Sequence, residues 1–513
     1  MPVAKKRHSN FAPAALVIFA VAFTLRIIHI WQMRNAPFFT LLMGDARGYD
    51  EWAQRIAGGD WIGRDVFYQA PLYPYFLASI YWIAGRSPTL VRIAQAVIGS
   101  CSCVLIAAAA RRLFSAPAGL LAGLMLAVYA PAIFFDELLQ KSVLDVFFVC
   151  LALWLTANIT AEQRSRQLMP WRWLALGLGL GGLSLTRENA LVFIAVILGW
   201  AILRFGVRAA AVFTLGAAIV MLPVAARNSM VGGGFYVTTS QFGTNFFIGN
   251  HRGADGTYQS LRYGRGAPEY ERQDAAELAE SELHRKLTPR EVSRFWTARA
   301  LAFIVSEPGA WLKLMARKTA LLVNATEMVD TEDQESYAEW SAVLRLLGPV
   351  THFGVLVPLA FAGMLATWSG RSRLWVLYAL LIVYALSVMF FFVFARYRYP
   401  LVPMLILFAA AGGLAAIAEI QSFQRAGFSL LRPASRKLIL QATAVATVAI
   451  FVNWPMGSAS AMRAVTATNA GTALQSEHRI DEAIAYYRRA IATQPDYAPA
   501  YNNLGTALRE QKR

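Results

Sequence analysis

Two kinds of side chain recur in this sequence where polar loops meet long apolar runs: carboxylates and arginines. Asp45 stands in Met43-Gly44-Asp45-Ala46-Arg47-Gly48-Tyr49-Asp50-Glu51, shortly beyond the first apolar run. A carboxylate at that depth can take a proton from a hydroxyl at the membrane surface, the work of a general base. The competing account is local, because aspartate is also favoured as a helix cap, and Gly58-Gly59 would end such a helix. The next segment, Phe67-Tyr68-Gln69-Ala70-Pro71-Leu72-Tyr73-Pro74, returns aromatic and proline residues to the interface and walls off a pocket, with Tyr68 and Gln69 as its polar substrate contacts. A second acidic pair, Asp136-Glu137, falls in a turn between two apolar runs. It is either a second carboxylate site or an acidic turn that keeps water at that depth. A divalent cation (Mg, Mn or Zn) bridging Asp45 and Asp136 to a phosphate is chemically sensible, although no ligand spacing demands one.

Arg187, Arg227 and the pair Arg396 and Arg398 in Phe394-Ala395-Arg396-Tyr397-Arg398-Tyr399-Pro400 lie on the same side as these carboxylates. Arginine suits phosphate, since its planar fork matches phosphate oxygens and keeps its charge when partly desolvated. Anchoring to lipid headgroups is the ordinary alternative for each of them. A loop around Asn245, Gly249, Asn250 and His251 either covers a sugar or is a glycine-rich turn without a ligand.

The elements that must position these residues are helices in lipid. The chain has 513 residues, 57% apolar and 15% charged, outside the balance of a soluble domain. Apolar runs long enough to cross about 30 Å of hydrocarbon lie near 11–31, 88–110, 116–134, 141–159, 347–367, 374–394, 399–419 and 438–454. Three shorter ones lie between 173 and 226, which predicts an all-α polytopic bundle of about eleven spans. The net charge of +17 does not point to nucleic acid, because the basic residues sit in short blocks between spans. One alternation of loops carries Lys5, Lys6, Arg7, Arg111, Arg112, Arg164, Arg166, Arg172, Arg204, Arg208, Arg371, Arg373, Arg425, Arg432, Arg436 and Lys437; the short turns of the other carry only Lys141, Arg187, Arg396 and Arg398. Sixteen against four places the N-terminus in the cytoplasm and, with an odd number of spans, the C-terminus outside.

Two long loops then face outward, 32–87 and 228–346, and the second holds 15 of the 31 acidic residues. Thr288-Pro289-Arg290-Glu291 has capping-box spacing, so a helix should begin there. The stretch from Ala310 to Asn324 has the pattern of an interfacial helix, and 71–84 is too short to span and expected at the interface. Beyond 1–455 the chain is periodic: Gly471 and Gly505, Ala473 and Ala507, Leu474 and Leu508 are each 34 residues apart. With Ala483, Tyr487, Ala490 and Pro495 they fit a tetratricopeptide repeat over 456–513. So short an array must dock on something or belong to a longer one, and it offers a surface for a protein partner.

Together these strings resemble the membrane glycosyltransferases of the GT-C class, in particular glycosyltransferase family 39: bacterial relatives of protein O-mannosyltransferases and of lipid A aminoarabinose transferases. The similarity spans residues 11 to 420 and rests on GDARGYD, APLYPYFLA, FFDELL, LTREN, LPVAARN, FGTNFFIGNHRGADGTY and ARYRYPLVPML, in that order. It implies a bacterial inner-membrane enzyme that inverts the anomeric carbon while moving a sugar from a polyprenyl-phosphate donor to a hydroxyl of a lipid, protein or polysaccharide. By the same resemblance Asp45 matches the catalytic base, and Asp136 or Glu137 a second acidic site near the acceptor or metal. Arg396 and Arg398 match arginines near the donor phosphate, with Arg187 and Arg227 on the same face. The rivals are a ligase of lipid-linked oligosaccharides, a flippase of lipid-linked sugars, and a scaffold recruited through the tail.

Overall fold

The computed structural model describes residues 11–162, 169–232, 234–262, 268–426 and 433–512. Every regular element among them is helical. Of the basic residues that set the expected orientation, Lys5, Lys6, Arg7, Arg164, Arg166 and Arg432 lie outside the described residues, as do the side chains of Arg425, Arg436 and Lys437.

Among the described residues, seven helices are long and apolar enough to cross a bilayer: Ala12–Met33, Pro88–Leu113, Ser142–Glu162, Glu188–Phe205, Val207–Met230, Trp368–Met389 and Leu401–Glu419. An eighth span is broken into Ala116–Val128 and Ala130–Glu137, which meet at 54°. The remaining expected spans fall on the helices Pro170–Ser184, Phe353–Ala366 and Pro433–Val452. The count is therefore seven or eight by length, where about eleven were expected. At 1.5 Å per residue, Pro170–Ser184 and Phe353–Ala366 fall short of the hydrocarbon thickness.

The break has an identifiable cause. Pro131 has no amide hydrogen and its ring would collide with the carbonyl four residues back, so the helix stops at Val128 and restarts at Ala130. All eight residues of Ala130–Glu137 are buried as a result. Asp136 and Glu137 therefore enter the bundle instead of facing an aqueous turn, and each meets an arginine there: Arg26 Nε at 2.6 Å from Asp136, and Arg92 Nε at 2.8 Å from Glu137. A third internal pair joins Arg187 to Asp145 at 2.6 Å.

The two long loops are helical as well. The expected capping box is present at Thr288 and Glu291 and opens the helix Pro289–Ser306. It is followed by Pro308–Val323, where an interfacial helix was expected, and the stretch at 71–84 forms Leu72–Ala84. The chain ends in three helices, Ala459–Ser476, Ile480–Thr493 and Ala498–Gln511, with Gly471 set against the Tyr487 ring. This tail docks on the second long loop. Asp333 N donates to Thr466 Oγ1 and Asn469 Nδ2 to the Thr331 carbonyl, both at 2.9 Å, while Arg463 and Arg489 pair with Glu335 and Glu339.

Helices in lipid gain little from apolar burial against one another, so close backbone approach through small residues carries much of the packing. The helices Phe353–Ala366 and Leu401–Ala426 meet at Gly363 and Gly412, and a Cβ on Gly363 would lie 1.8 Å from the Phe408 carbonyl oxygen. Gly363→Val is expected to destabilise the protein by about 1–3 kcal/mol or more, read as a lowered thermal midpoint in detergent. Gly309→Ala, where a Cβ meets open space, should leave that midpoint unchanged.

Candidate active site

Asp45 is the first residue of the helix Asp45–Ala57, and its carboxylate makes no capping bond to that helix. Its oxygens point away from the helix: Oδ2 lies 2.5 Å from Arg396 Nη1, and Oδ1 accepts from Gln69 Nε2 at 3.0 Å. The residue before it, Gly44, has φ +51°, and a Cβ there would come within 2.8 Å of Thr331 Oγ1. Only glycine combines that dihedral with that approach, and the approach brings the second long loop against the first.

Arg396 sits in the four-residue helix Ala395–Arg398, between two spans. Backbone bonds from Val393 N to the Gly256 carbonyl (2.9 Å) and from Ala395 N to the Met328 carbonyl (3.0 Å) tie this turn to the second loop. Its guanidinium is 7% exposed and is shared, because Nη2 lies 2.8 Å from Asp330 Oδ2. A cavity of about 90 Å³ borders the pair, lined among others by Gln69, Lys141, Glu271 and Tyr397. Glu271 closes one wall, accepting from the Tyr68 hydroxyl at 2.6 Å and from the Tyr258 hydroxyl at 2.8 Å.

The electrostatics separate the two aspartates. Burial works against charge on Asp45, but the Arg396 guanidinium overrides it and holds this carboxyl below its ordinary value. Burial also dominates at Asp330, where the neighbouring Asp45 charge adds to it against Arg396, and the carboxyl is pushed up to about 6. Two acids that share one cation thus titrate apart. Burial raises Glu271 as well, against the pull of its two tyrosine hydroxyls.

Of the residues singled out from sequence, Asp45, Tyr68, Gln69, Asn245 and Arg396 come together at this cavity. The others are engaged elsewhere. Asp136 and Glu137 are held by Arg26 and Arg92 inside the bundle, so no pairing of Asp45 with Asp136 around a metal is formed. Arg187 is held by Asp145. Arg398 donates to the carbonyls of Leu321, Leu322, Asn324 and Thr326 and pairs with Glu327 at 3.0 Å, which makes it a clamp on the second loop. Arg227 donates to the Ile62 and Asp65 carbonyls, both at 2.6 Å, and borders a neighbouring groove. Asn250 accepts from Trp311 and Lys318, and His251 stacks on Phe247; neither lines the cavity.

Lys141, which the sequence counted only among the basic residues of the short outward turns, lines the cavity with Tyr258, Glu271 and Asp330, which the sequence did not single out. Their one signal was the density of acidic residues in 228–346, which marks the loop without marking the residue. The donor set does not fit a divalent ion: Arg396 lies between the two aspartates, and no cluster of three or more His, Cys, Asp or Glu suited to a metal occurs among the described residues.

Among solved structures, the oligosaccharyltransferase of Archaeoglobus fulgidus crystallised with Zn and sulfate is similar to this chain at 14% identity and a TM-score of 0.47, over 92% of this chain and 56% of that one. The chain thus spans little more than half the length of that protein. ArnT from Cupriavidus metallidurans in the apo state aligns at 15% identity and a TM-score of 0.36, over 94% and 92% of the two chains. The same protein bound to undecaprenyl phosphate aligns at 13% and 0.34, over 93% and 90%. No curated protein sequence matches the chain. Two family models do: by sequence the chain is similar to TPR repeats over residues 471–512 and to the family described as dolichyl-phosphate-mannose-protein mannosyltransferase over residues 68–229, a stretch that includes Tyr68, Gln69 and Lys141 of the cavity.

Proposed function

We propose that this multi-pass membrane protein is a glycosyltransferase that moves a sugar from a polyprenyl-phosphate donor to an acceptor hydroxyl, with inversion and with Asp45 as base. The observation that carries this reading is the buried guanidinium of Arg396, shared by Asp45 and Asp330 at the edge of a cavity between the long loops. The family match over residues 68–229 supports the same class of donor. The uneven distribution of lysine and arginine supports a bacterial inner membrane with the N-terminus in the cytoplasm and the cavity and tail on the outer face. On this reading residues 1–455 form the transferase, and 456–513 the tail available to a protein partner.

The acceptor oxygen attacks the anomeric carbon while its proton passes to Asp45. The bond from that carbon to the phosphate oxygen breaks, and its electron pair leaves with the polyprenyl phosphate. Arg396 neutralises the charge growing on that phosphate, an effect worth most where water is scarce. Ion pairing keeps Asp45 ionised but also makes it a weak base. A donor phosphate that draws Arg396 toward itself loosens that pair, so Asp45 gains basicity only when the donor is in place.

Purified protein in liposomes, given a panel of polyprenyl-phosphate sugars, should release polyprenyl phosphate with at least one of them. Asp45→Asn should lower that release by about a hundredfold or more while the protein keeps its fold. Equal release by both proteins would remove Asp45 as base, and no release with any donor would remove the transferase reading.

The split between the aspartates adds a pH dependence. A phosphodiester donor keeps one negative charge throughout, whereas Asp330 gains a proton as pH falls through about 6. Asp45, held low, stays ionised over that range. Arg396 then answers to one carboxylate fewer, so donor affinity should rise between about pH 7.5 and about 5.5. In Asp330→Asn it should already be high and should not vary with pH. A wild-type affinity flat across that range would show that Asp330 does not compete for Arg396.

A further inference from the structure

The cavity at Asp45, about 90 Å³, is small beside the roughly 300–1,000 Å³ of clefts that hold whole small ligands. It can take the reacting atoms, but the body of an acceptor must lie outside it. A groove of about 530 Å³ adjoins it, and Tyr68 and Gln69 border both spaces.

The chemistry of that groove is cationic and aromatic. Its walls include Trp52, Arg55, Arg64, Phe67, Arg227 and Arg272. Arg55, in the last turn of Asp45–Ala57, and Arg64 are exposed and have no ion pair or hydrogen bond among the described residues. Arg227 is fixed over the Phe67 ring at 3.8 Å and donates to neutral groups, the Ile62 and Asp65 carbonyls and Asn228 Oδ1, while the Asp60 and Asp65 carboxylates act on it only through space. Two carboxylates share the groove: Asp65 faces Arg272 at 3.5 Å, and Asp60 accepts from Gly63 N at 2.9 Å and keeps its charge. Four arginines, Arg55, Arg64, Arg227 and Arg272, against two carboxylates, Asp60 and Asp65, leave this open space net positive, with Trp52 on its wall.

We propose that this groove is the acceptor subsite and that the acceptor is a phosphorylated sugar, its phosphate held by Arg55 and Arg64 and its hydroxyl passed between Tyr68 and Gln69 to Asp45. The proposal rests on the transferase reading above and adds to it the class of acceptor. Forked guanidinium donors on a phosphate give directional, charge-assisted bonds. The cluster lies on the first loop and at the foot of one span, apart from Arg396. Donor and acceptor phosphates thus have separate cations, as a displacement between two anionic substrates requires.

The test uses the full chain in phosphatidylcholine nanodiscs with three soluble probes: glucose 6-phosphate, glucose and a short-chain polyprenyl phosphate. Glucose 6-phosphate should bind, glucose at the same concentration should not, and the double variant Arg55→Gln/Arg64→Gln should weaken glucose 6-phosphate binding by about tenfold or more. Equal binding of glucose 6-phosphate by both proteins overturns the proposal. So does a variant that loses the polyprenyl phosphate instead, which would make the groove a donor site. Discs containing phosphatidylglycerol separate the sources of phosphate: undiminished glucose 6-phosphate binding supports an acceptor sugar, and displacement by the lipid overturns it in favour of headgroup contact. Donor hydrolysis by water, followed in parallel, keeps the two claims apart. Hydrolysis without arginine-dependent sugar phosphate binding sinks the groove alone, and arginine-dependent binding without hydrolysis sinks the transferase reading alone.

Discussion

The guanidinium of Arg396 between Asp45 and Asp330 is the contact on which the rest of this end of the molecule depends. Removing an arginine from water is expensive, and one carboxylate would be enough to neutralise it; breaking a buried pair typically costs about 3–5 kcal/mol. Here two carboxylates compete for one cation, so the three groups together are anionic and cannot all be satisfied at once. The consequence is electrostatic asymmetry, with Asp45 held below its ordinary value and Asp330 lifted to about 6. A phosphate at Arg396 would be a third anion on the same cation, so it competes with Asp330 and gains most when Asp330 carries a proton.

Three distant stretches of chain must meet for this contact to exist, and each arrives by a different device. Gly44 lets the first loop approach Thr331, next to Asp330. Backbone bonds to Gly256 and Met328 fix the turn that carries Arg396. The tail supplies the third constraint, since Thr466 and Asn469 bond the backbone of Asp333 and Thr331 on either side of Glu332, next to Asp330. A short repeat array has too little core to stand alone, and here its missing neighbour is the loop that completes the cavity. The tail thereby braces, from behind, the loop that carries Asp330.

Much of the architecture was legible because lipid imposes a simple rule: apolar runs of sufficient length become helices. The helices at 288, at 308 and at 72 were likewise readable from capping spacing and amphipathic pattern. The number of full-length spans was not, because hydropathy counts apolar residues and does not see that Pro131 breaks a helix or that 353–366 is short. Within the cavity, Asp45, Gln69 and Arg396 belonged to strings with unusual composition for their place in the chain. Asp330 and Glu271 lay among 15 acidic residues of one loop, and only the tertiary fold distinguishes them from their neighbours.

The arginines show why sequence placement alone could not separate function from scaffold. A guanidinium on the face where few basic residues belong must be balanced, and the protein does so in three ways. Arg187 is balanced by one buried carboxylate, and Arg398 by four carbonyls and Glu327, leaving neither with an open face toward the cavity. Arg227 is oriented by carbonyls that fix its position without cancelling its charge. Arg396 has more carboxylate than it needs, at the edge of an open space. The first arrangement stabilises a fold, whereas the last two leave charge unmatched, cationic at Arg227 and anionic at Arg396, where a proton on Asp330 restores the balance. An arginine's chemistry here is therefore set by how completely its partners satisfy it, a property of the folded contacts and not of the residue's position in the chain.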